Sequence, residues 1–177
     1  MADYHSPLVI QPDIPLGGVT ALELFLLTHM LQSEVNDDGV YLFAELSVEE
    51  MPAVKAGELR RAYSESAGVE SRVLVPVGQW LDEVGYCGDD DGTHFDLDAH
   101  LEYSAWIVML QDITRRSQTV AYFTVSGAYT CTKMRSDGFG GWAALIYPED
   151  VRMQSTNDLL DTFINEAKFP PETWKDL

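Results

Sequence analysis

The sequence predicts an α+β fold: a single domain with an antiparallel sheet, centred on a hairpin at about 119–147 and packed by about three helices. Three observations carry this. A chain of 177 residues, 46% hydrophobic and 11% aromatic, has the size and composition of one globular domain. At that size folding buries roughly 70% of the unfolded chain's surface, so no metal or disulfide staple is required. Residues 119–134 and 142–148 are rich in β-branched and aromatic side chains and flank a turn, "RSDGFGG", with Asp-Gly and Gly-Gly signals. Helix-start signals precede apolar stripes near 20–33, 98–116 and 156–167.

The elements follow in order. Residues 8–16 read as extended, because Pro12 and Pro15 preclude a helix. Thr20 with Glu23 three residues on is a capping box opening a helix to about Ser33. Leu22, Leu24, Phe25, Leu26, Leu27, Met30 and Leu31 cover most of its circumference, so it is expected to be buried on several sides. A turn at 36–39 precedes a strand at 40–46. Residues 47–66 are polar and weakly helical, with Pro52 and Gly57 as breakers. The run "RVLVPV" at 72–77 reads as a short edge strand because of Pro76, followed by a short helix ending at Gly85. Asp98 caps a helix running to Arg115 and Arg116, whose charges suit its C-terminus. Ser155 or Thr156 caps a last amphipathic helix with Leu159, Leu160, Phe163 and Ile164 on one face, and the tail after it reads as extended. Helix, polar turn and aromatic strand occur at 20–46 and again at 98–126, a weak pseudo-repeat without residue identity to support a duplication.

Charge is distributed unevenly. The formal net charge is −18, and no Lys or Arg occurs in 1–54 or in 73–114. Each of these blocks holds nine acidic residues, whereas the rest of the chain has eleven acidic and eleven basic residues and is neutral. Such a field disfavours nucleic acid and anionic membrane as direct partners, since phosphates are bound by Lys and Arg. It favours a basic protein partner, including one that itself binds nucleic acid. The expected function is therefore a non-enzymatic acidic binding protein, of the kind that inhibits by mimicking nucleic acid. The expected contact set is Asp37, Asp38, Glu49, Glu50, Asp82, Glu83, Asp89, Asp90, Asp91, Asp96, Asp98 and Glu102. The competing readings are acidity that serves solubility or salt adaptation, and an accessory or scaffold protein with contacts through aromatics. Tyr129, Phe139 and Trp142 are the second interface candidate, with a homodimer among its outcomes.

The chemistry-bearing residues give no motif. Cys87, His94 and His100 are spaced C-x6-H-x5-H, too far apart for zinc pairs presented by one turn. Around Asp89, Asp91, His94 and Asp96 the EF-hand pattern fails, because Gly92 falls at the fourth place and His100 at the twelfth, which leaves only a non-EF site as an alternative. Carboxylates beside Cys87 raise a thiol's pKa and blunt it as a nucleophile, and Cys131 sits within a strand pattern where buried thiols are common. Two distant cysteines make no disulfide framework, so a cytoplasmic protein with reduced thiols is expected. "SDGFGGW" at 136–142 lacks the Lys-Ser/Thr of a P-loop. His29, inside an apolar helix, reads as a satisfied core or interface histidine. No cofactor is expected, and no apolar tract approaches the ~20 residues a membrane span needs.

Overall fold

The N-terminal segment lays three short strands nearly end to end: β1 (Tyr4–His5), β2 (Leu8–Gln11) and β3 (Ile14–Pro15), broken where Pro12 removes a ladder donor. They belong to a computed structural model that describes residues 2–37, 39–84, 93–94, 96–98, 101–133, 135 and 138–168. α1 (Ala21–Met30) follows, then a hairpin of β4 (Gln32–Val35) and β5 (Gly39–Ala44). The short β6 (Ala53–Val54) leads into α2 (Ala56–Glu65) and α3 (Leu74–Val84), and β6 pairs with β7 (Thr93–His94). α4 (Ala105–Arg116) is followed by a meander of β8 (Phe123–Cys131), β9 (Gly140–Tyr147) and β10 (Asp150–Ser155), and α5 (Thr156–Ala167) closes the described chain.

The main sheet has eight strands and is antiparallel throughout. Its path is β10-β9-β8-β2-β5-β3, with β1 extending along β8 and β4 along the far side of β5. The N-terminal strand β2 thus joins the two halves, pairing Leu8 with Ala44 on one side and with Gly127 on the other. Strand alternation sorts the faces. Leu8, Ile10, Val40, Leu42, Phe123, Val125, Ala144 and Ile146 point to one side and are buried. Val9, Thr124, Ser126, Ala143 and Leu145 point to the other and are partly or fully exposed, as are Tyr41 and Phe43, whose rings stack at 5.3 Å. α4 packs on β8 and β9, α1 lies against α4, α2 packs on α1 and α3 on α2. The core fills the space between the helices and the closed face of the sheet.

Several expectations hold. Thr20 and Glu23 form the capping box, the 119–147 hairpin is β8–β9, and Ser155 is the N-cap of α5. α1 is buried on several sides through Leu22, Leu26, Leu27 and Met30. Others are corrected. Five helices rather than about three are present among the described residues. α1 stops at Met30, and 32–35 is instead an exposed edge strand. The weakly helical stretch at 47–66 does contain a short helix, α2, with Leu59 and Ala62 inward. The run at 72–77 is not a strand: from Leu74 it is the start of α3. Pro76 falls in its first turn, where an N–H has no intrahelical partner to lose, and Val73, Val77 and Leu81 form a buried stripe at four-residue spacing. α4 begins at Ala105 rather than 98, yet Asp98 still serves it, since its Oδ1 accepts from the Ala105 N–H at 2.7 Å.

α5 departs most from expectation. Its stripe is amphipathic, but none of its residues is buried. What holds its start is local. The Ser155 N–H and Oγ both donate to Asp158 Oδ2, at 2.8 and 2.7 Å, and the Asp158 N–H donates to Ser155 Oγ at 3.1 Å. These bonds, the backbone one first, hold the Asp158 carboxyl below its ordinary value of 3.8. A lowered folded-state pKa contributes stability that is present above the ordinary value and lost as pH falls through the lowered one. The protection of the Ser155 and Asp158 amides, measured against their intrinsic exchange rates, is therefore expected to hold from neutral pH down to about 4 and to fall below it. Loss of protection beginning near pH 6 would contradict this.

Candidate acidic interaction surface

The β6–β7 bridge brings segments of the two acidic blocks together. β6 and β7 pair Ala53 with His94 and Val54 with Thr93. The His94 ring then sits against the 49–54 segment, with Nδ1 on the Met51 carbonyl oxygen at 2.9 Å. This brings Glu49 and Glu50 from the first block beside Asp96 from the second, and all three are exposed. Local bonds shape both segments. The Glu49 N–H donates to the Met30 carbonyl at 2.9 Å, tying the loop to the end of α1, and Asp96 Oδ1 accepts from the Asp98 N–H at 3.1 Å. Asp82 and Glu83 are exposed at the end of α3. Arg60, one turn into α2, donates to the Leu81 carbonyl at 2.9 Å and holds that end of α3 beside the helix that begins just after β6. Glu102 is exposed ahead of α4.

Not every predicted residue lies at this bridge. Asp37 lies in the β4–β5 turn, at the opposite end of β5 from Glu49, roughly 17 Å away along the strand. It neighbours Asn36, whose Nδ2 donates to Asp13 at 2.6 Å. Asp98 is half-buried and committed to Ala105. Asp38, Asp89, Asp90 and Asp91 fall outside the described residues, as do Cys87 and His100. Of the weak metal set, Asp89 and Asp91 are likewise outside. No cluster of three or more His, Cys, Asp or Glu residues suited to a metal occurs among the described residues.

Two acidic residues of the charge-bearing blocks prove to be internal. Glu23 is fully buried and Asp112 nearly so. Glu23 Oε2 accepts from the Thr20 N–H at 3.0 Å and from Arg116, while Oε1 accepts from Ser71 Oγ at 2.8 Å. Asp112 accepts from the Arg72 N–H and Nε, both at 2.8 Å, and from Arg115 at 3.3 Å. Arg72 also reaches Gln111 Oε1 at 2.8 Å. Three arginines from the neutral segments thus pair with acids of the acidic blocks, Arg72 and Arg116 half-buried and Arg115 exposed. Further ion pairs among the described residues are local: Lys55 with Glu58, Arg61 with Glu65, and Arg152 with Asp150. Glu49, Glu50, Asp82, Glu83 and Glu102 take part in no ion pair among the described residues.

The aromatic candidates separate from one another. Trp142 is half-buried, lies across Gly127 and packs against the core. Tyr129 is half-buried over Gly140, its hydroxyl 3.4 Å from Thr156 Oγ1. Phe139 is exposed. His29 is also exposed rather than in the core, with Nδ1 at 2.7 Å from the Phe25 carbonyl oxygen and its ring against Phe25. Cys131 is buried and free at the end of β8. The 136–142 segment enters β9 at Gly140. Sequence reasoning missed the inward acids and the unburied face of α5. No described helix is long and apolar enough to cross a membrane. No protein-family model, curated protein or solved structure matches the chain.

Proposed function

We propose that this chain is a non-enzymatic binding protein whose acidic end engages a basic protein partner, in the finer form one whose nucleic-acid-binding surface it occupies. The observation that carries the reading is the β6–β7 pairing, which joins two acidic blocks that lie far apart in sequence. Glu49, Glu50, Asp82, Glu83 and Asp96 are the contact residues, with Asp37 at the far end of β5 and Glu102 beside Val75 and Gln79 in the first half of α3 outside the contact. The pairing of Arg72, Arg115 and Arg116 with the buried Glu23 and Asp112 supports the same reading, because those cations are engaged away from the exposed carboxylates. Among the described residues every buried side-chain polar group has a hydrogen-bond partner.

Complementary charge of this kind sets association rate and salt dependence. Capture on the immobilised chain is expected to yield a basic partner at low salt, released by high salt and displaced by DNA or RNA. The triple variant Glu49→Lys/Glu50→Lys/Asp96→Lys is expected to lose at least about tenfold in affinity at low salt. Asp37→Lys, at the other end of β5, is expected to bind as the unaltered chain does. Absence of any salt-sensitive basic partner, or equal binding by the triple variant, would refute the reading.

A further inference from the structure

We propose that the open face of the β4–β5 hairpin takes an arginine side chain of a basic peptide, laid against the rings of Tyr41 and Phe43 and paired with Glu34 and Asp13. Val40, Leu42 and Ala44 of β5 point into the core, so Tyr41 and Phe43 stand on the other face, both half-buried. Their ring centroids are 5.3 Å apart and their planes 23° from parallel, which makes them one stacked aromatic unit. Across the ladder Glu34 is opposite Tyr41, and it is exposed. On the other side of β5, the Asp13 Cβ lies 3.3 Å from where a side chain on Gly39 would begin, and Gly39 shares the face of Tyr41. Tyr41 thus has an acidic residue on either side.

Charge selects the occupant. Residues 1–54 contain no Lys or Arg. Neither Glu34 nor Asp13 takes part in an ion pair among the described residues, and Asp13 accepts only from the neutral amide of Asn36. Arg152, on the same open face, lies four strands away on β10, roughly 19 Å at the spacing of neighbouring strands. An anionic occupant is repelled here, and an apolar one would cover two carboxylates without giving them a partner. A cation satisfies both the ring faces and the carboxylates. Guanidinium suits this better than ammonium, because it is flat, weakly hydrated, and can stack on a ring while its edge donates to a carboxylate. The site lies toward the β4–β5 turn and away from Glu49 and Asp96, so the inference goes beyond the proposed contact and does not rest on it.

Titration of the full chain with a capped tri-arginine peptide, followed by NMR of the aromatic rings and backbone amides at about 0.15 M salt, is the test. Saturable shifts are expected at the Tyr41 and Phe43 rings and at Glu34. A tri-lysine peptide is expected to bind there at least about threefold more weakly. Tyr41→Leu is expected to weaken tri-arginine about two- to fivefold and to narrow its advantage over tri-lysine. Glu34→Gln is expected to weaken it as well, and because Glu34 is exposed this variant decides the matter should Tyr41→Leu fail to fold. The triple variant Glu49→Lys/Glu50→Lys/Asp96→Lys is expected to keep the ring shifts, which separates this site from the acidic contact. Unmoved rings with shifts spread over every acidic segment overturn the proposal. So do equal affinities for the two peptides at the rings, or an unchanged affinity in Glu34→Gln.

Discussion

Glu23→Ala is expected to destabilise the fold by about 3–5 kcal/mol, the cost of removing one partner from a buried charge pair. That is a large part of the ~5–15 kcal/mol by which domains of this size are stable. Glu23 is fully buried, and its carboxylate collects three donors from three places: the Thr20 N–H at the start of α1, Ser71 between α2 and α3, and Arg116 at the end of α4. Alanine removes every acceptor at once. The Thr20 N–H and the Ser71 hydroxyl lose their bonds in a dry site, and the guanidinium keeps a single carbonyl, Glu70 O at 2.7 Å. Arg116 is 21% exposed and recovers some hydration, which places the expected cost toward the lower part of the range. Glu23→Gln keeps the shape and one acceptor oxygen and is expected to fall between. Urea unfolding should show a lower midpoint with an unchanged slope. A Glu23→Ala unfolding free energy within about 1 kcal/mol of the parent's would mean that the network contributes little.

This network marks the boundary of what the sequence makes legible. Thr20 and Glu23 were readable as a capping box, because both partners lie within one turn. That Glu23 is buried was not readable, because Arg116 is 93 residues away and only the folding of α4 against α1 brings it close. The β8–β9 hairpin was readable from its alternating apolar residues and its turn. β4 was not: all four of its residues are exposed, so no alternation exists to detect. α3 was misread because β-branched residues and a proline suggested an edge strand, although the four-residue spacing of Val73, Val77 and Leu81 was present in the same stretch. Charge blocks were visible as composition. Their meeting was not, since it depends on a two-residue bridge, β6 with β7, too short to leave a pattern. The α5 stripe was visible too, but an apolar stripe states that a face wants cover and not what covers it.

Gly127→Ala is expected to cost about 1–3 kcal/mol, although alanine ordinarily suits a strand better than glycine. Gly127 faces Trp142 across the β8–β9 ladder and Leu8 on its other side, and the Trp142 ring lies over it. A methyl group there would overlap Cε2, Nε1 and Cζ2 of the indole. The ring has only two torsions and packs against the core, so it must leave its place rather than bend aside. The overlap outweighs the ~0.5–1 kcal/mol that replacing glycine in a strand returns. Removing the ring reverses the balance. In a Trp142→Ala background the three atoms nearest to that methyl are gone, and the gain in strand preference is set against a much smaller cost. The substitution is therefore expected to destabilise the parent and to stabilise the Trp142→Ala variant, a coupling between neighbours that a double-mutant cycle in urea isolates. Ser126→Ala, one residue away on the open face, is expected to stay within about 0.5 kcal/mol in both backgrounds. Equal costs of Gly127→Ala with and without the indole would show that the glycine is held for its backbone and not for the ring that crosses it.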